Sequence, residues 1–288
     1  MNNTNKWDRT LFLSLLPALV FIVALFIYPF INGLYLSFTN GNGAFTMANY
    51  LRFFTDQWES RTIGVTLGLA VPATLLNVIL AIPFAYVMRH GMKGEKLITF
   101  FLIVPITLGT VLISEGMLTF MGPNGWINQF LLAAHLVKEP FRFTHNYLGV
   151  MISLVIQGFP FAFLMLLGYI SGINPDLEKA AKMLGASKMQ TFWKILFPLL
   201  APGIAIAFCL NFVMAFSVYP SAVLLGQPSG PTRVISIAAY QWAFEKFDFN
   251  MGSAISMIMA GIELIVIMLV LFWRSKIYKS ASISGGKG

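Results

Sequence analysis

Residues 143–175, FTHNYLGVMISLVIQGFPFAFLMLLGYISGINP, contain no Asp, Glu, Lys or Arg. At 1.5 Å of rise per residue, the apolar middle of this stretch crosses about 30 Å of hydrocarbon as a single helix. The run is continuously apolar and does not alternate, which points to a helix and away from a barrel strand. Residues 10–51, 62–88 and 195–232 are equally free of charge, 97–137 hold only Glu115, and 249–273 hold only Glu263. Of the 288 residues, 57% are apolar and 10% charged, against roughly 25% charged in a soluble domain. Water is therefore not the main solvent of this chain. There is too little charge for a disordered chain and no glycine period for a collagen. The single cysteine, Cys209, rules out a disulfide scaffold and reads as a small buried hydrophobe.

The uncharged gaps predict an all-α polytopic membrane protein, one transmembrane domain over residues 1–288 with six spans. These are expected at about 11–37, 63–88, 97–121, 148–171, 200–222 and 253–273. The first is too long for a signal-peptide core and is read as a retained span. Placing the N-terminus inside puts 13 Lys and Arg on the inner segments (1–10, 89–96, 173–194, 274–288) and 6 on the outer loops. This asymmetry predicts both termini in the cytoplasm. Topology thus accounts for the net charge of +8, and no nucleic-acid partner is implied. Gly64/Gly68 and Gly168/Gly172 form GxxxG pairs, expected to mark close helix contacts.

One inner loop, 173–198, is not membrane: INPDLEKAAKMLGASKMQTFWKILFP. Asn174-Pro175-Asp176 is a helix start, combining a cap, a first-turn proline and an acid at the positive helix end. Leu177, Ala180, Ala181 and Leu184 recur at helical spacing, and Gly185 stops or turns the helix. Ser187 caps a second helix whose apolar face is Met189, Phe192, Trp193 and Leu196. The residues alone leave two readings of this helix–Gly–helix elbow. It either slots into a partner's groove or lies on the bilayer surface.

The loop resembles the signature of permease subunits of binding-protein-dependent ABC importers: Glu-Ala-Ala, three residues, Gly, nine residues, Ile, one residue, Leu-Pro. Ala180, Ala181, Gly185, Ile195 and Pro198 fall at matching positions, with Ala186 and Ser187 completing the usual turn. Two positions depart from the pattern. Lys179 takes the place of the Glu, with Glu178 one step earlier, and Phe197 replaces the Leu. One step rotates a side chain by about 100° around a helix. Further stretches are similar to the same family: Ser37-Phe38 with Ala48-Asn49-Tyr50 and Phe53-Phe54, Leu102 to Pro105, and Ala243 to Ala254. Gly125 to Leu131 resembles the short outer helix of its spermidine/putrescine-type subgroup.

The resemblance implies a type I importer permease fold with a cytoplasmic coupling elbow made by Glu178, Lys179, Ala180, Ala181, Gly185, Ala186, Ser187, Ile195 and Pro198. It implies two ATPase subunits that bind ATP and Mg, a second permease of a different sequence, an extracytoplasmic solute-binding protein, and a place in a bacterial inner membrane. No cofactor is expected in this chain, which has no phosphate loop and no His/Cys cluster; His90, His135 and His145 are far apart. No Ser/His or HExxH constellation supports an intramembrane enzyme. The translocation pathway is expected to draw on Glu263, Ser256, Asn211, Ser217 and Gln157. Interhelical hydrogen bonding is the plainer reading of the neutral members. Glu263 shares a small, polar helix face with Ser253, Ser256 and Ala260, and no Lys or Arg lies within an expected span. A polyamine or related organic cation is the expected solute. Alternatives are a sugar, opine, phosphonate, thiamine or ferric iron, and a stand-alone secondary transporter.

Overall fold

The computed structural model describes residues 15–89 and 91–284, with side chains through Ser275. His90 and residues 11–14 of the first expected span lie outside the described residues. The described chain is helical, without strands; one isolated bridge joins Thr39 to Phe45. In order, the helices are α1 (Leu15–Ser37), α2 (Ala48–Thr55), α3 (Gln57–Met88), α4 (Glu95–Leu108), α5 (Thr110–Met121), α6 (Trp126–Ala133), α7 (Tyr147–Ser171), α8 (Asp176–Met183), α9 (Lys188–Phe216), α10 (Pro220–Leu224), α11 (Ile235–Tyr240) and α12 (Phe249–Ser284).

Helices α1, α3, α7, α9 and α12 are each long and apolar enough to cross a membrane. The third expected span, 97–121, is not one straight helix. The chain turns by 106° between α4 and the segment Thr110–Ala133 that follows it. Gly109 makes the turn at φ 74°, ψ 159°, a conformation open to glycine, and Pro105 weakens the preceding helical turn. In a straight span starting at 97, Glu115 would lie about 27 Å along the axis, near the outer surface; the turn at Gly109 removes that placement. The fifth span ends at Phe216, short of the expected 222, and Pro220 opens a separate short helix.

The chain divides into two units. One comprises residues up to Ser60 with Ala238–Ile258, the other Arg61–Ile237 with Met259 onward. In the first, Asn49 and Tyr50 fasten α2 to the end of α1. Asn49 Nδ2 donates to the carbonyls of Ser37 and Thr39 at 3.0 Å, and the Tyr50 hydroxyl lies 2.7 Å from Ser37 Oγ. Trp242 donates to Glu59 Oε1 at 3.0 Å, with Arg52 and Lys246 over its ring at 4.3 and 3.5 Å.

The second unit is built on α3, α7 and α9. Val78, Ala81, Ala85 and Met88 repeat at helical spacing on α3 and meet Phe163, Leu166 and Ile170 of α7 and Leu200 and Ala207 of α9. Of the GxxxG residues, Gly68 on α3 meets α7, where the Tyr147 hydroxyl donates to its carbonyl and would lie 3.3 Å from a Cβ. A side chain at Gly64 or Gly168 would meet open space within the chain. The tight positions are Gly203, whose Cβ would lie 2.5 Å from the Tyr169 ring, and Gly158, whose Cβ would run into the Asn77 amide. The neighbours are the Tyr169 ring at Gly203 and the Asn77 and Asn211 side-chain amides at Gly158, the two amides bonded to each other, so making room for a Cβ would disturb buried contacts.

Gly158→Ala is expected to lower the thermal unfolding midpoint of the purified protein. Overpacking of this kind costs about 1–3 kcal/mol. Gly168→Ala, which meets nothing within the chain, is the control; equal midpoints for the two variants would refute the packing account.

Candidate functional site

The elbow forms where its residues demand it. Asn174 Oδ1 accepts the Asp176 N–H at 2.9 Å, and α8 starts at Asp176 with Pro175 before it. At its far end, Gly185 N–H donates to the Lys182 carbonyl at 3.0 Å and Ala186 N–H to the Ala181 carbonyl at 3.0 Å. Together with φ +79° at Gly185, this is a Schellman close. Ser187 then caps α9 with a reciprocal box: its Oγ accepts Gln190 N–H at 3.2 Å, and Gln190 Oε1 accepts Ser187 N–H at 2.9 Å. The first turns of α9 widen into a π segment at Phe192–Leu196, which contains Ile195, before Phe197 and Pro198 resume the α-helix.

Glu178 and Lys179 part company across the helix. Glu178 is buried and pairs with Arg89 at 2.8 Å, their side chains 7% and 4% exposed. Arg89 also donates to the Ile173 carbonyl at 2.9 Å. Arg89 directly follows the end of α3 and Glu178 lies in the first turn of α8, so each charge also suits the dipole of its own helix. Lys179 is exposed and bonds Asp176 Oδ1 at 2.8 Å; the hydrogen bond and charge of Asp176 push its pKa up. Ala181 is buried against the body of the unit, while Ala180 faces outward. The tip is apolar and uncovered: Met183 is 83% and Leu184 88% exposed. On the other half of the elbow the Phe192 ring packs edge-on against Tyr86 of α3, centroids 5.4 Å apart. Both halves therefore bear on α3.

Arg89 escaped the sequence reading, which counted it only as an inner charge. The available signal was Glu178 itself, an acid displaced one step from the matching position and so turned toward the protein.

Of the intramembrane candidates, two bond between helices. Asn211 Nδ2 donates to the Gly158 carbonyl at 2.8 Å, and its Oδ1 accepts Asn77 Nδ2 at 3.0 Å. Gln157 Nε2 reaches Ser153 Oγ at 2.6 Å and Ser221 Oγ at 2.9 Å, and Ser221 also meets Ser114 at 2.9 Å. Ser217 and Ser256 donate back to their own helices, to the carbonyls of Val213 at 2.6 Å and Gly252 at 3.0 Å. Glu263 differs: its Oε1 is buried without a hydrogen-bond partner among the described residues. The structure thus joins the elbow residues in one capped turn, while Asn211, Gln157, Ser217 and Ser256 have their hydrogen bonds taken up by helix backbone or by other side chains.

Residues 77–280, over two thirds of the chain, match the family described as binding-protein-dependent transport system inner membrane component. The chain belongs to this family. The chain is 29% identical over 283 residues to the spermidine/putrescine transport system permease protein PotB of Salmonella typhimurium (strain LT2), an alignment covering 96% of each. It is 30% identical to the probable sulfate transport system permease protein cysT of Prototheca wickerhamii, over 72% of this chain and 80% of that one. In fold it is similar to a chain of a bacterial alginate ABC transporter solved in complex with an alginate pentasaccharide-bound periplasmic protein. That likeness has a TM-score of 0.78 at 22% identity, over 95% and 96% of the two chains. The protein is a multi-pass membrane permease component, and the elbow lies inside the matched region.

Removing one partner of a buried ion pair costs about 3–5 kcal/mol, because the other charge is left without compensation. Arg89→Met is expected to loosen α8 and raise amide exchange across 177–184. Adding Glu178→Met should return most of the protection, since an apolar pair replaces the stranded charge. Equal exchange in all three proteins would show that the pair does not hold the elbow.

Proposed function

We propose that this chain is one of two permease subunits in an ATP-driven importer, carrying a polyamine or related organic cation delivered by an extracytoplasmic binding protein. The observation that carries the reading is the elbow: a rigidly capped turn with an uncovered apolar tip, ion-paired at its base to the end of a spanning helix. An apolar tip more than four-fifths exposed at Met183 and Leu184 calls for a cover. In this reading the cover is a groove on a partner ATPase, which binds the ATP and Mg; this chain carries out no chemistry. ATP binding moves the groove, the elbow follows, and the Arg89–Glu178 pair and the Tyr86–Phe192 contact pull α3 with it. A ligand alternates the two states only by binding them unequally. The 13:6 distribution of Lys and Arg supports an inner-membrane orientation with the elbow and both termini in the cytoplasm.

The cationic solute is supported by Glu263 and by the relative named for spermidine and putrescine, which aligns with 96% of the chain. A carboxylate within a span costs a few kcal/mol unless water or a partner meets it. Facing a cavity shared with the second permease, Glu263 would find that partner in a passing cation.

Gly185→Asp tests the coupling. Any side chain at this φ is strained by about 1–2 kcal/mol, and the carboxylate would project from the docking turn. Solute uptake and the ATPase activity stimulated by the binding protein should both be lost with membrane insertion intact; normal transport would remove the elbow as the docking site. Glu263→Gln tests the solute, since it retains shape and hydrogen bonding without charge. Uptake of labelled spermidine by the reconstituted importer should fall about ten- to a hundredfold, the scale of one charged hydrogen bond. Unchanged uptake across a concentration series would dismiss a charge-based role.

A further inference from the structure

A proline inside a helix has no N–H to donate to the carbonyl one turn back. Pro72 stands inside α3, so the carbonyl of Gly68 finds no such donor within its own helix. In a membrane a carbonyl in this position is costly until a neighbouring group meets it. Here the Tyr147 hydroxyl of α7 donates to it. Gly68 keeps the approach open, since a Cβ there would lie 3.3 Å from that hydroxyl. Tyr147 is itself firmly mounted as the first residue of α7. The preceding Asn146 caps the helix by accepting Gly149 N–H at 2.9 Å, and its own N–H donates to the Leu225 carbonyl at 3.1 Å. The arms of α3 on either side of Pro72 are tied to different parts. The arm nearer the elbow, 73–88, shares a buried core with α7 and α9, and Asn77 bonds to both. The far arm, 61–71, is fastened to the first residue of α7 through Gly68. It is also fastened to the start of α11, where Ile235 N–H donates to Thr66 Oγ1 at 2.9 Å.

We propose that Pro72 is a hinge in α3 and that the Tyr147 hydroxyl is its latch. Bonded to Gly68, the hydroxyl holds the far arm against α7; released, it lets that arm swing while the other arm stays with α7 and α9. The hinge bends at this turn because the turn lacks one of its own hydrogen bonds. The latch is reversible because a single hydroxyl bond holds it and Tyr147 is 43% exposed, so water can meet both groups when they part. A pull on the elbow reaches α3 at Tyr86 and Arg89, on the other side of the hinge from the latch. The use of the latch in transport rests on the proposed importer; the hinge itself does not.

The test is amide exchange of the full-length chain in nanodiscs, read across the hinge turn, 69–75, and across 80–88 as the control. Tyr147→Phe should raise exchange in the hinge turn about three- to tenfold, the scale of one hydrogen bond in a membrane, and leave the control stretch unchanged. Pro72→Ala restores the N–H that serves Gly68, so adding Tyr147→Phe to it should change exchange little. Unchanged exchange in Tyr147→Phe, an equal rise in both backgrounds, or a rise spread evenly along α3 would each overturn the latch. The second measurement adds the partner ATPases. Trapping with ATP and vanadate should raise exchange in the hinge turn of the unmodified chain; trapped complex with an unmoved hinge turn would overturn its role in the transport cycle. Failure of the chain to assemble with an ATPase would count against the importer reading alone, since the first comparison needs no partner.

Discussion

A bilayer supplies no hydrophobic force to press one apolar helix on another, so a membrane bundle coheres through close packing and buried polar bonds. In this chain the constraint is met where α3, α7 and α9 cross. Gly158 has no side chain, and that absence lets Asn211 reach its carbonyl and lets Asn77 bridge to Asn211. Asn77 also donates to the Leu154 carbonyl at 3.3 Å. Each such bond is worth about 0.6 kcal/mol in a membrane. Their larger effect is on register, since sliding any helix by one residue would strand a buried amide. Asn77, Gly158 and Asn211 thus fix the three helices from which the elbow is carried.

The elbow obeys a second constraint. A lever must be stiff at its base and free at its tip. The base is stiff because Arg89 and Glu178 are both buried, and a buried charge without its partner is costly. The tip is free because the Schellman turn spends the orphan carbonyls of α8 locally, leaving Met183 and Leu184 projecting without structural duties. Both attachments, to Arg89 and to Tyr86, end on α3. A displacement imposed on the tip would therefore bear first on the helix that also carries Asn77, which is bonded to α7 and α9.

What the sequence made legible follows from how local each signal is. The Asn174-Pro175-Asp176 start, the Gly185 stop and the Ser187 cap depend on neighbours within four residues, and each appears where expected. The spans were legible because absence of charge is a property of the segment itself. The break at Gly109 was not: glycines also sit inside unbroken helices here, as Gly158 does in α7, and only the observed φ separates the cases. The GxxxG pairs were legible only in part: Gly68 meets the Tyr147 hydroxyl of α7 as expected, and the rest do not mark a tight contact between helices. Spacing marks a smooth face, but it does not say what lies opposite, and Gly64 and Gly168 face nothing within the chain. Arg89 was hidden by distance. Its partner lies 89 residues away, and only the odd register of Glu178 hinted that an inward cation was waiting.

That register also determines what the elbow shows to a partner. Had the acid stood at position 179, it would project outward and offer a negative charge. Here Lys179 projects instead, and Asp176 meets it at 2.8 Å, so the two cancel on the surface. Exposed pairs of this kind contribute little to stability. Their consequence is electrostatic: the outward face of α8 around the tip carries less net charge than its lysines suggest. In the proposed docking, recognition of the tip would rest mainly on the shape of Met183, Leu184 and the glycine turn. A groove that demanded an acid at this point would find none, so in the proposed complex discrimination between partner subunits would follow as much from that missing contact as from those made.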